Sequence, residues 1–426
     1  MSDLALRAGD ANQSRAIRWL RLSSVAVVAI TMLLILFGWT NTLSEQNLTT
    51  LAVGGDFGAT LIGARIIREG KGPLLYNNAT QQEMQVQLLT PYVHRAEWLP
   101  YNHTPIEALI IAPFVELPYQ ISYLLWLSLS LLAVGLAIRW LWIAFPLPQD
   151  IRWLALITIA SYPFLHSGLW LGQNTPFVLL GLCGLLVALH QGHVRLAGVA
   201  LALVALKPQL LPIIILFLIV QRQWQTLGMT FGTLSLVTFA IMPWLGVAWP
   251  LQYVRFLFQI ANWAQGEAID AAIMLNWRGL SVNLVGSWSP RLPTMLTIGL
   301  SVATVAYLGW YWWRSRHTLR STSLLWSMAI IVALLVAPHT NPHELTLLII
   351  PFWLVAAIVP RSLLSPRWLV LAGIAYSLRW LALLPGYPAT TVLPSVALLV
   401  LLLFSIGTIG TYINTSAHAP RWSETW

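Results

Sequence analysis

Apolar stretches of about membrane-spanning length recur along this chain from near residue 22 to near residue 413. A helix needs about 20 apolar residues to cross the hydrocarbon core of a bilayer. Inside that core only helices and closed barrels satisfy the backbone's polar groups. The recurrence therefore predicts one all-α polytopic membrane domain, where 426 residues of soluble protein would suggest two or three domains. Composition agrees. Only 9% of residues are charged, against roughly 25% in a soluble domain. With 58% hydrophobic residues, intrinsic disorder is excluded as well.

Charge placement orients the chain. Arg7, Arg15, Arg18 and Arg21 precede the first expected span, 22–40, so the 1–21 tail is predicted to be cytoplasmic. That span is long and no small-residue cleavage site follows it, so it is expected to stay as an anchor. Further spans are expected at 104–118, 120–141, 153–170, 175–189, 195–221, 226–246, 292–313, 322–337, 344–360, 368–384 and 392–413. Together these give about twelve transmembrane helices in one 22–413 domain, with a second cytoplasmic tail at 414–426. The hydrophilic stretches 41–103 and 247–291 then form outer loops, and the first reads as two short surface-lying helices, 57–69 and 79–89. Strict alternation places Arg152 and Arg195 on the wrong side. A second arrangement cures this: 104–118 does not cross, and 195–221 is a hairpin with Lys207 at its middle. Both arrangements remain open on sequence alone. A net charge of +9 suits nucleic acid only beside a basic stripe or stacking platform, and none is present. The lone Cys183 excludes an internal disulfide. No phosphate-binding glycine loop and no metal-ligand cluster occurs in the sequence, so no metal or other cofactor is expected.

Several polar residues stand out against this background. Asp56 follows Gly54-Gly55 and reads either as a helix N-cap or as a catalytic carboxylate at the outer surface. Tyr101-Asn102 opens a turn that ends in Thr104-Pro105, and Gln173-Asn174 divides two apolar runs; their polar groups serve either helix ends or sugar hydroxyls. Lys207 stands in the otherwise uncharged Val199–Val220 stretch. A cation there costs about 2.5–3.5 kcal/mol on insertion scales. It either snorkels to an interface or meets an anion, and the absence of an acid nearby in sequence favours an exogenous one. His339 and His343 fall in a polar turn between spans, where imidazoles hold a phosphate or relay a proton. Asn276 and Arg278 frame Trp277 late in the second outer stretch, either as an interfacial helix or as a phosphate-contacting one.

In order along the chain, the stretches GGDF, KGPLLYN, YNHTPIEALIIAP, LGQNTPFVL, GVALALVALKPQLLP, NWRGLS and APHTNPHELTLLIIP resemble glycosyltransferase family 87, the polyprenyl-phosphate-mannose-dependent membrane mannosyltransferases. The resemblance covers roughly residues 22–413. It implies the C-type glycosyltransferase fold, with amphipathic helices in the first outer loop. It also implies an inverting hexose transfer, most naturally of mannose, on the outer face of the plasma membrane, from a polyprenyl-phosphate donor to a lipid or glycan acceptor. On that resemblance Asp56 is the catalytic base. Lys207 falls at the family's lysine-proline position, and His339 and His343 fall in its polar turn, with the choice between the two histidines open. From the chemistry of the side chains themselves, Lys207, Arg278, His339 and His343 are expected to hold the donor phosphate, and Tyr101, Asn102, Gln173, Asn174 and Asn276 to contact sugar or acceptor. Two other classes compete: a transporter or lipid flippase without chemistry, though the paired repeats expected there are missing, and a structural scaffold or inactive relative.

Overall fold

A computed structural model describes residues 54–89, 100–149, 151–261, 270–315, 322–358 and 389–415, with isolated positions 29, 33, 373, 374 and 376. The expected spans 22–40 and 368–384 lie outside the described residues apart from those positions, as do the 1–21 tail and the 414–426 tail beyond residue 415. Among the described residues every regular element is helical and no strand occurs. The helices are α1 Gly55–Arg68, α2 Asn78–Leu89, α3 Pro105–Ile111, α4 Tyr119–Ala144, α5 Arg152–Ala160, α6 Pro163–Leu171, α7 Thr175–His190 and α8 Val194–Ala202. They continue with α9 Leu211–Val220, α10 Trp224–Leu245, α11 Trp249–Ala261, α12 Trp277–Val285, α13 Leu292–Ser315, α14 Thr322–Val336, α15 Ile349–Ile358 and α16 Ala389–Thr415.

Among the described residues, four segments are long and apolar enough to cross a membrane by themselves: Tyr119–Ala144, Arg152–Leu171, Trp224–Leu245 and Leu292–Trp313. All four lie where spans are expected. The 104–118 segment is different. Its α-helical part, α3, has seven residues and rises about 10 Å, a third of the hydrocarbon thickness. It does not cross on its own.

Two pairs of contacts fix the relative direction of the helices. Thr226 Oγ donates to the Val194 carbonyl at 3.1 Å, and Thr230 Oγ donates to the Gly198 carbonyl at 3.1 Å. The offset is constant, so α8 and α10 run parallel with their starts side by side. Gly198 permits this approach, since a Cβ there would meet the Thr226 carbonyl oxygen at 2.5 Å. The chain between them must therefore go out and return, and 194–220 is a hairpin that breaks at Lys207-Pro208. Trp126 donates to the Gly172 carbonyl at 2.8 Å, and the Phe145 and His190 rings lie 4.7 Å apart. So α4 and α7 also run parallel.

Two ends result. One gathers the turns after α4, α7 and α9, with Arg152, Arg195 and Arg222. The other gathers the start of α1, the 100–104 stretch, the 172–174 turn, the hairpin tip and the turn after α14. Arg152 and Arg195 thus sit at the end opposite the start of α1 and the hairpin tip, as in the second of the two arrangements. Within the first expected outer loop, α1 is packed rather than merely resting on a surface: Phe57, Leu61, Ile62 and Ile66 are buried. Its outer side carries an ion-pair chain in which Arg65 meets Glu69 at 2.7 Å and Glu116 at 3.0 Å.

Candidate functional site

The site forms where three breaks in helical structure meet. The first is the turn between α6 and α7. Gly172 takes φ 72°, a left-handed conformation that glycine adopts without a steric penalty. A Cβ at Gly172 would also lie 2.5 Å from the Cβ of Phe57. This close approach brings α1 against the turn, and the Gly54 N–H donates to the Trp170 carbonyl at 2.8 Å. The second break is the hairpin tip at Lys207. The third is the polar turn after α14, from which Pro342–Leu348 continues as a tight 3-10 helix.

Asp56 lies in the first turn of α1, and the cap position belongs to Gly54. The N-cap reading of Asp56 is therefore corrected: its carboxylate caps nothing. Instead it accepts a hydrogen bond from Gln173 Nε2 at 2.5 Å. The other end of that amide, Gln173 Oε1, accepts from Lys207 Nζ at 3.3 Å. Gln173 is nearly buried and joins a carboxylate to an ammonium, and its orientation follows from which of the two accepts and which donates.

Lys207 has an internal counter-ion. Its Nζ lies 2.8 Å from Glu344 Oε1 and 3.4 Å from His343 Nε2. Glu344 is fully buried and well held. Gln209 Nε2 donates to Oε1 at 3.2 Å, and the Asn341 N–H donates to Oε2 at 2.9 Å in a capping box. The sequence argument for an exogenous anion rested on the lack of a nearby acid, and it does not hold in that form. The acid is distant in sequence and adjacent in space.

A second acid, Glu107, enters from α3, and the sequence reading missed it. Asn174 Nδ2 donates to its Oε1 and to the Leu206 carbonyl, the latter at 3.2 Å. His103 Nδ1 sits 2.8 Å from Oε2. Burial pushes the His103 imidazolium towards losing its proton, but the Glu107 carboxylate outweighs it, and the pKa ends above the usual 6.5. The sequence did carry a signal for Glu107, a carboxylate set among apolar residues near the start of the 104–118 segment.

Around this centre the other expected residues divide. His339 is near: Asn341 Nδ2 and its Nε2 are 3.1 Å apart, and burial pushes its pKa down. Arg278 reaches the same turn, donating to the Pro338 carbonyl at 3.2 Å. Asn276 is occupied structurally. It caps α12 by accepting from the Gly279 N–H at 3.0 Å and donates to the Ala337 carbonyl at 2.7 Å. Tyr101 is fully buried, and its hydroxyl donates to the Thr104 carbonyl at 2.5 Å. Asn102 is half-buried and shows no side-chain hydrogen bond among the described residues. The structure thus brings Asp56, Gln173, Asn174, Lys207 and His343 into one connected group, with His339 and Arg278 on the adjoining turn. Tyr101 and Asn276 hold backbone instead.

Chemically, this group offers a partly exposed carboxylate whose Oδ1 has no partner among the described residues, beside a buried ammonium and imidazoles. A carboxylate so placed takes a proton from a hydroxyl, and the cations stabilise a developing anion. The family model of glycosyltransferase family 87 matches residues 101–338, more than half of the chain. No curated protein and no solved structure matches it.

Proposed function

The chain belongs to glycosyltransferase family 87 and is a membrane glycosyltransferase, and we propose that it moves a hexose, mannose by preference, from a polyprenyl-phosphate donor to a lipid or glycan acceptor. The proposed setting is the outer face of the plasma membrane, within a C-type glycosyltransferase fold. Asp56 Oδ1 takes the acceptor hydroxyl's proton as that oxygen attacks the anomeric carbon. The C–O bond to the lipid phosphate breaks on the opposite side, which inverts the centre, and the phosphate departs as an anion.

Holding that anion falls to several groups. Lys207 already faces Glu344, so the pair together carries no net charge. Lys207, by exchanging its long contacts to Gln173 and His343 for phosphate oxygens, shares the phosphate with His343, His339 and the always-charged Arg278. Gln173 and Asn174 are proposed to bind on the sugar side, Gln173 through its own amide and Asn174 by holding the 172–174 turn. Tyr101, Asn102 and Asn276 act by shaping the walls. The two flanking acids, Glu107 and Glu344, keep the site close to electroneutral before the donor arrives.

One observation carries this reading: a single amide, Gln173, links the Asp56 carboxylate to the Lys207 ammonium across segments that meet only in the fold. That puts base and anion-holding cation within one side chain of each other, as a one-step displacement requires. The test uses membranes containing the protein and radiolabelled polyprenyl-phosphate mannose. Label should pass to a lipid or glycan product, and the Asp56→Asn variant should pass none. Transfer at the wild-type rate by that variant would refute the assignment.

A further inference from the structure

Glu107 is 1% exposed, and both its oxygens are engaged, one by Asn174 and one by His103. A carboxylate and a backbone carbonyl only accept hydrogen bonds. Asn174 Nδ2 faces one of each, Glu107 Oε1 and the Leu206 oxygen, so its amide is held in one orientation. Three chain segments therefore meet at Glu107: its own helix start with the 101–103 stretch, the 172–174 turn, and the residue before Lys207. One step along the chain from these contacts stand Gln173 and Lys207, the two groups that connect to Asp56.

We propose that Glu107 and His103 form a positioning pair for glycosyl transfer. The carboxylate, acting through Asn174, sets the register of the 172–174 turn against the hairpin tip, and the imidazole keeps the carboxylate in place. This rests on the transfer reaction proposed above. Neither residue needs to touch substrate. What they determine is where Gln173 aims Asp56 and where Lys207 stands. The groups facing His103 are Glu107 from α3, Asp56 from α1, Lys207 from the hairpin tip and the Tyr101 ring, whose centroid is 5.8 Å away. The carboxylates outweigh burial and the ammonium, so His103 is an imidazolium paired with Glu107 below its raised pKa and a neutral imidazole, a weaker partner, above it. Turnover should show a basic limb at that point.

The test compares wild type, Glu107→Gln, His103→Gln and the double variant, as full-length protein in nanodiscs. Glu107→Gln keeps shape and removes charge. Its kcat should fall up to about 100-fold, the loss expected for a sub-ångström to 1 Å misplacement, while donor KM stays within about threefold. The basic limb should vanish in both single variants, and the double should be no worse than the poorer single. Wild-type kcat and an intact limb in Glu107→Gln would overturn the pair. A second arm needs no turnover: thermal unfolding of Glu107→Gln, Gln173→Leu and their double. Shifts in Tm that fall short of additive support coupling across the turn, and additive shifts overturn it. A wild type that transfers no sugar refutes the proposed function, and this second arm still decides the positioning pair.

Discussion

The buried Lys207–Glu344 pair gives a quantitative test of the site's construction. Removing one partner of a buried ion pair typically costs about 3–5 kcal/mol, because the other charge is left behind in a medium that solvates it poorly. The structure separates the two halves of this pair. After Lys207→Met, Glu344 keeps the Gln209 amide at 3.2 Å and the Asn341 N–H at 2.9 Å. After Glu344→Leu, Lys207 keeps only the Gln173 oxygen at 3.3 Å and His343 at 3.4 Å, and the capping box at Asn341 is lost. The lysine variant should therefore fall near 3 kcal/mol and the glutamate variant near 5, roughly. Replacing both by apolar groups of similar volume removes the stranded charge. The double variant should lose only about 1–2 kcal/mol, chiefly the cap. Equilibrium unfolding in mixed micelles, titrated with a denaturing detergent, reads all four proteins. A double variant whose loss equals the two single losses added together would refute the pair as the origin of the stability. Transfer activity should stay absent in the double even as stability returns, since the cation is still missing.

Four further outcomes follow from the same geometry. Asp56→Asn should change unfolding free energy by only about 1 kcal/mol, the difference between a charge-assisted and a neutral hydrogen bond from Gln173, because Asp56 caps no helix; transfer should vanish, as a radiolabel assay will show. Gly172→Ala should destabilise strongly and lower kcat, since φ 72° and the Phe57 Cβ at 2.5 Å leave no room; a variant with unchanged Tm would contradict the packing. The stability difference between wild type and His103→Gln should be fully present below pH 6.5 and shrink as pH rises through the elevated His103 pKa; a difference that grows with pH would reverse the sign of the interaction. In a Cys183→Ala background, single cysteines at Ala79 and Ser287 should react with an impermeant reagent on intact cells, and one at Gln191 only after lysis; any exchange between the two groups would refute the sidedness.

Local pattern made much of the fold legible. The helix expected at 57–69 is Gly55–Arg68, the one at 79–89 is Asn78–Leu89, and the runs expected at 120–141, 226–246 and 292–313 are single long helices. What failed to show was whatever depends on contacts distant in sequence. Lys207 looked solitary because its acid is 137 residues away, beyond any local window. Asp56 suited an N-cap by residue type, but Gly54 at φ 71° takes that position and leaves the carboxylate free for Gln173. Glu107 was visible as a charge in an apolar run. Its partners, Asn174 and His103, meet it only in the fold, at the start of a seven-residue helix. The ambiguity in sidedness had the same origin: counting crossings presumes that each apolar run crosses, and α3 does not.

The distance between Lys207 and Glu344 also governs how the chain is made. At about 5–20 residues per second, a ribosome that has added Lys207 needs roughly 7–27 s to add the glutamate 137 residues later. Throughout that interval the hairpin tip carries an ammonium with no carboxylate to meet it. The hairpin must therefore wait near the headgroups, its lysine stem reaching for water, and settle only when the turn after α14 arrives. Assembly of this centre is tied to the last third of translation. A chain truncated before the 337–344 turn would leave the early helices inserted and the hairpin undocked, a species that the cell's quality-control proteases are well placed to recognise.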